Sequence, residues 1–359
     1  MSSRSCRAHL FIGLLSLLVP PATALAQWTP LPSPTEVELR GLSVVSPNVV
    51  WASGQRGTVV RTTDGGRTWR RDTIPGASAL DLRAIAATSP SVAHAISIGD
   101  SSRIYRTTDG GRTWSLRWSA TRKGTFLDAI RFWDARNGIA MSDPVGGRFL
   151  ILTTADGGES WHEVPADRIP PALPGEGGFA ASGSCLTVLG SSHVWFGSGG
   201  AKVARVYHSA DRGRSWTVHE TPIRAGVPSA GIFSIAFRDV RNGVIAGGDY
   251  QQPALRGRNL ALTKDGGRTW TLVDSASSPA GYRSAVAYVP GITGRVLVAV
   301  GLTGTDLSRD RGGSWVSVDT VAYNSVGFAT PSRGWAVGPK GRISAWTRGD
   351  TLNRSSSVP

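Results

Sequence analysis

The side chains best equipped for chemistry in this sequence are carboxylates and arginines set in stretches rich in Gly, Pro and Ser. Asp100, Asp128, Asp143, Glu176 and Asp249 are the candidates for a working carboxylate pair. Cleavage of a glycosidic bond needs two such groups about 5 to 9 Å apart, flanking the bond. Arg40, Arg83, Arg283, Arg56, Arg103, Arg148, Arg258 and Arg342 offer rigid, forked cations suited to carboxylate-bearing or anionic partners. Their plain alternative is solvated loop charge, so position has to decide between the two.

Other chemistries lack their parts. His9, His94, His162, His193, His208 and His219 are scattered one per strand or strand end, without metal-ligand spacing. Cys6 lies in the apolar leader and Cys185 stands alone in Ser184-Cys185-Leu186, so neither a disulfide within the mature chain nor a CxxC site is available, and Cys185 reads as a buried small residue. There is no Walker loop, no dinucleotide fingerprint before a helix and no nucleophile elbow. No cofactor and no metal is expected.

The elements that must position these groups are announced by a repeat. Ser/Thr-x-Asp-x-Gly-x-Thr/Ser-Trp recurs six times, with its Asp at 64, 109, 156, 211, 265 and 310. The spacings of 45, 47, 55, 54 and 45 residues are those of propeller blades. Every letter has a physical reason. Asp accepts local backbone N–H groups, Gly takes positive φ, the hydroxyl bonds locally, and Trp anchors the outgoing strand. This turn is an Asp box, and Asp64, Asp109, Asp156, Asp211, Asp265 and Asp310 are read as structural, not as six active sites. Upstream lie further β-rich runs, for example 42–45, 49–52 and 58–61, so each unit reads strand, strand, strand, box, strand. A seventh unit, with runs at 326–329, 334–337 and 342–346, lacks its box and fourth strand. Trp28-Thr29-Pro30-Leu31-Pro32 resembles the segments after the boxes, so residues 27–32 are expected to complete the last blade. The expected fold is all-β: a seven-bladed propeller of four-stranded antiparallel blades, closed by the mature N-terminal strand.

The remaining segments are short. Arg4 and Arg7 before the apolar run Leu10 to Val19, and Ala24-Leu25-Ala26 after it, read as a signal peptide over 1–26 with cleavage near Ala26. Export to a periplasmic or extracellular space follows, and no mature segment reaches the length of a membrane span. Loss of the two leader arginines lowers the formal charge of +14 by two, and only four lysines contribute to it, so the surface is arginine-dominated. Residues 27–347 form one propeller, and 348–359 read as a flexible tail whose Arg348-Gly349-Asp350 is a chance adhesion-like tripeptide.

The run Gly54-Gln55-Arg56-Gly57-Thr58-Val59-Val60-Arg61-Thr62-Thr63-Asp64-Gly65-Gly66-Arg67-Thr68-Trp69 resembles the repeat of the photosystem II stability and assembly factors, and the likeness extends over all seven units. That resemblance implies an exported, non-catalytic protein-binding scaffold with an arginine-rich surface, acting on an envelope or membrane complex. It does not carry the photosystem itself. In such a blade the boxes lie on one face, with Arg67, Arg112, Arg214 and Arg268 decorating it. The opposite face collects the blade-to-blade loops near Arg40, Arg83, Asp128 and Arg283 and the second-to-third-strand loops with Arg56, Asp100, Arg103, Asp143, Arg148, Asp249, Arg258 and Arg342. The first four are expected to ring the channel mouth. Two long loops, 165–183 with Glu176 and 247–259 with Asp249 and Tyr250, shape the same face. The alternative is a carbohydrate-active propeller, a glycoside hydrolase or glycan-binding protein. Arg168-Ile169-Pro170 matches a sialidase tripeptide, but in a Pro-rich mid-chain loop and not near the start of a catalytic domain. Nucleic acid is not expected as a partner, because the arginines are spread around the repeats and the chain is exported. A monomer binding a protein partner is expected.

Overall fold

The computed structural model describes residues 27–99, 102–291 and 293–347. The expected leader 1–26, the tail from 348 and Asp100 lie outside the described residues. The described chain folds into seven four-stranded sheets. Six of them follow chain order from the innermost to the outermost strand, as in blade 1: Leu39–Val44, Val50–Gly54, Thr58–Thr62 and Arg70–Thr73. The seventh joins Ser325–Thr330, Arg333–Val337 and Ile343–Thr347 to Gln27–Leu31, with Trp28 opposite Trp346. The expected closure of the last blade by the strand at Gln27–Leu31 is therefore present, and it covers the edge that the seventh unit would otherwise expose.

Burial follows position within a blade. The second strand Val50–Gly54 is buried throughout, whereas the outermost Arg70–Thr73 is largely exposed and charged, which blunts the free edge. The apolar core lies between blades: Phe149 and Ile151 of blade 3 pack with Phe196, Tyr207 and Trp216 of blade 4 in one cluster. Second-strand rings also reach the next blade's box. His94 of blade 2 contacts Gly157 O at 3.0 Å, and Trp195 of blade 4 donates to Gly266 O at 2.9 Å. Gly158 shows why the box needs glycine: its φ is +78°, and a Cβ there would stand 2.3 Å from His94 Nε2.

All six boxes share one bonding pattern. At the first, Thr62 Oγ1 donates to Asp64 Oδ1 at 2.8 Å and accepts from Gly66 N at 2.9 Å. Thr68 donates to Asp64 through its N–H at 3.0 Å and its hydroxyl at 2.6 Å. The hydroxyl bonds from Thr68 and Thr113 hold Asp64 and Asp109 well below the usual carboxylate range.

Candidate functional site: the plugged channel mouth

The mouth on the face opposite the boxes is built by a repeated irregularity. In blades 1, 2, 3 and 5 the innermost strand slips register by one residue against its neighbour, between Leu39 and Gly41, Leu82 and Ala84, Leu127 and Ala129, and Ile232 and Ser234. The skipped residues are Arg40, Arg83, Asp128 and Phe233. A bulge re-aims the side chain it carries. Arg40, Arg83 and Phe233 line one cavity of about 430 Å³, which Asp143, Phe179, Tyr250, Tyr282 and Leu302 also line.

The long loop before blade 4 closes the channel beneath this cavity. Its segment 178–184 reaches several blades: Gly178 N donates to Asp143 Oδ1 at 2.6 Å, Arg40 Nη1 to Ala181 O at 3.3 Å, and Ser182 Oγ to Ser284 O at 2.9 Å. Ser184 Oγ meets Ser234 Oγ at 2.8 Å, and Phe179 stacks on Phe233 with centroids 3.8 Å apart. The loop is moored at its root by Glu176, whose carboxylate receives Arg205, Ser198 Oγ at 2.5 Å and Leu173 N at 2.7 Å. Besides shaping the face, the loop stoppers the channel.

The cations at the mouth are oriented by acids two residues upstream. Arg40 pairs with Glu38 and Arg83 with Asp81, each at 2.8 Å, and all four side chains are partly exposed. Asp128 has no exposure, and both its carboxyl oxygens lack a hydrogen-bond partner. Desolvation, then the neighbouring Asp143, push its pKa well above the usual range. Asp143 is pushed up to about 6, again by desolvation. Gly178 lies against this pair, since a Cβ there would stand 2.5 Å from Asp128 Oδ2.

Several expected site residues are elsewhere. Arg283 does not ring the mouth: it is 1% exposed, pairs with buried Asp306, and donates to Thr303 Oγ1 and Tyr282 O at 2.8 Å. Glu176 and Asp249 are buried, the former as the mooring just described and the latter accepting Gln251 N at 2.9 Å inside its own turn. Each thus serves its loop and is not presented on the face. Arg56 borders a separate groove with Glu36 and Arg71, and Arg342 lies over Tyr323 between blades 6 and 7. Arg103 donates to Tyr105 OH, Arg148 to Ile169 O and Arg258 to Pro222 O.

The histidines are less scattered than their spacing suggests. His193 Nδ1 and His208 Nε2 are 3.1 Å apart beside Trp195, because adjacent strands of blade 4 bring them to one face. Desolvation and His193 lower His208 to about 4. Among the described residues no cluster of three or more His, Cys, Asp or Glu is arranged to hold a metal ion, and no helix is long and apolar enough to cross a membrane. Cys185 is buried, and desolvation raises its thiol pKa.

Sequence reasoning found Arg40, Arg83, Asp143 and Tyr250 but missed the rest of the aromatic half of the mouth. One signal was available. In aligned first strands the residue before the small Gly41, Ala84, Ala129 or Ser234 is the bulged one, which adds Phe233 to the set.

The ring and its boxes define an Asp-box β-propeller with a stoppered channel. A family model described as "Photosynthesis system II assembly factor YCF48" matches residues 20–115. Photosystem II stability/assembly factor HCF136, chloroplastic, from Cyanidioschyzon merolae is 37% identical over 82 residues, a match covering 19% of this chain and 19% of that protein. The chain therefore spans about a fifth of the length of that curated relative. The solved structure of YCF48 bound to D1 peptide superposes with a TM-score of 0.65 at 18% identity, covering 91% of this chain and 99% of the other. The GH74 xyloglucanase from Xanthomonas campestris also gives 0.65, at 17% identity, covering 93% of this chain and 55% of the enzyme. Structural likeness at this identity speaks for the fold alone. The local sequence matches add a resemblance to the photosystem II assembly factors over the first part of the chain.

Proposed function

We propose that this propeller is an exported, non-catalytic scaffold that captures a segment of a protein partner at the stoppered mouth, in the assembly or stabilisation of an envelope or membrane complex. The observation that carries this reading is the convergence of Arg40 and Arg83, re-aimed by two equivalent bulges, on one open cavity with an aromatic wall. Rigid blades with function-bearing loops at one end suit binding. The family match, and a structural neighbour solved with a peptide bound, support a protein partner. A glycosidase pair finds less support: Asp128 has no solvent access, and Glu176 and Asp249 are committed to internal bonds.

The test is affinity capture from the envelope fraction with wild type beside Arg40→Ala/Arg83→Ala. Capture of a specific protein, lost in the variant, supports the proposal. Unchanged capture, or retention of glycans with no protein, overturns it. Arg283 is left intact, because its removal would strand Asp306 in the core.

A further inference from the structure

The mouth cavity is divided by chemistry. Arg40 and Arg83 stand on the side of blades 1 and 2, while Phe233, Tyr250, Tyr282 and Leu302 form the side of blades 5 and 6 over the Phe179 floor. Tyr250 is 43% exposed and Leu302 38%, and Val227, next to the lining Pro228, is 44% exposed. Large apolar side chains exposed together around a concavity mark an interaction surface. Beneath them Phe233 and Tyr282 are buried, with Phe233 stacked on Phe179 and edge-on to Tyr282 at 4.8 Å. The exposed residues thus rest on a rigid aromatic base.

The arginines alone make a weak anchor. Each is already paired with its own acid, Glu38 or Asp81, in a partly exposed ion pair. A visiting carboxylate shares an oriented but half-neutralised guanidinium, which gives direction more than affinity. Affinity has to come from apolar burial on the other side.

We infer that the mouth is a two-part receptacle for a partner segment: a bulky apolar side chain seats against Phe179, Tyr250 and Leu302, and a carboxylate beside it reaches Arg40 and Arg83. This rests on the segment-capture reading above and names what that segment carries. The carboxylate belongs to an acidic side chain or to a chain end, and both present the same fork-matching group.

The probes are fluorescein-labelled octapeptides containing one Asp-Phe pair, amide-capped, with Asp-Ala and Asn-Phe controls and a form ending in Phe with a free carboxylate. Wild type is expected to bind the capped or the free-ended Phe peptide at least about tenfold more tightly than the controls; which of the two binds identifies the source of the carboxylate. Tyr250→Ala/Leu302→Ala, both exposed and compatible with an intact fold, is expected to remove that preference for Phe over Ala. Failure of both the capped and the free-ended Phe peptide to bind more tightly than the controls, an unchanged preference in that variant, or no binding of any peptide by wild type overturns the two-part assignment. Native-partner capture that still depends on Arg40 and Arg83 would leave the segment-capture reading standing, so the two failures are separable.

Discussion

Trp28 donates its indole N–H to Thr305 Oγ1 at 3.0 Å, tying the first described strand to blade 6 as well as to its own sheet. The same ring lies edge-on to Trp346 at 5.0 Å and close to Tyr323 at 5.6 Å. Trp28→Ala should therefore weaken the closing strand and its neighbour together, at a cost of about 3–5 kcal/mol. Thr305→Val, which removes this acceptor together with the hydroxyl's own bond to Asp319, should cost less, about 2 kcal/mol. Urea unfolding of the two variants checks the difference.

Arg283 and Arg83 should behave oppositely when truncated. Arg283→Ala leaves Asp306 buried without its partner and should destabilise by about 3–5 kcal/mol. Arg83→Ala breaks only a partly exposed pair and should change stability by under about 1 kcal/mol. Thermal unfolding distinguishes them, and equal effects would contradict the burial difference.

Asp143 predicts an inverted pH dependence. Its folded-state carboxyl holds a proton more tightly than in the unfolded chain, so its contribution to stability is full below the ordinary value of 3.8, falls as pH rises to about 6, and is flat above. The loss is about 3 kcal/mol at most. Asp128, raised further in the same direction, extends the decline. Asp143→Asn should remove its own share of the pH dependence of the urea midpoint between pH 4 and about 6, and Asp128→Asn should stabilise the protein at neutral pH. His94 and His208, each lowered to about 4, contribute the opposite slope over the same window, so the test is the difference between wild type and variant: an Asp143→Asn profile parallel to wild type would refute this account.

Gly158→Ala should destabilise more than an ordinary loop substitution, by about 2 kcal/mol or more, because it meets both a positive φ and the His94 ring. Gly146→Ala offers a control with positive φ but open space around it. The comparison separates steric conflict with the neighbouring blade from backbone strain.

The blades were legible because their punctuation is local. Asp, Gly, hydroxyl and Trp act within eight residues, so the expected runs at 42–45, 49–52 and 58–61 overlap the observed strands Leu39–Val44, Val50–Gly54 and Thr58–Thr62. The strand at Gln27–Leu31 was legible by default, as the one piece the seventh unit lacked. The mouth was harder to read. Whether Arg283 faces solvent or Asp306 depends on a contact with a strand two positions outward, and no motif reports it. Glu176 likewise read as a carboxylate on the binding face, because its partner Arg205 lies on a strand with no sequence pattern linking the two. Asp128 and Arg83 occupy equivalent bulges yet differ in exposure, since only Asp128 lies beneath Gly178.

The pairing of Trp28 with Trp346 also sets an order of events in time. Blades 1 to 6 are each assembled from contiguous chain, so each can form soon after its own strands are available. The last cannot, because its outermost strand was made first and must wait, unpaired, for the final hairpin. Bringing such distant segments together is the slow, entropically costly step of folding. Until then the half-made ring presents two open flanks, one at blade 1 and one at blade 6, where a second copy or a chaperone can intervene. The same clasp that protects the finished ring defines the interval in which it is most vulnerable.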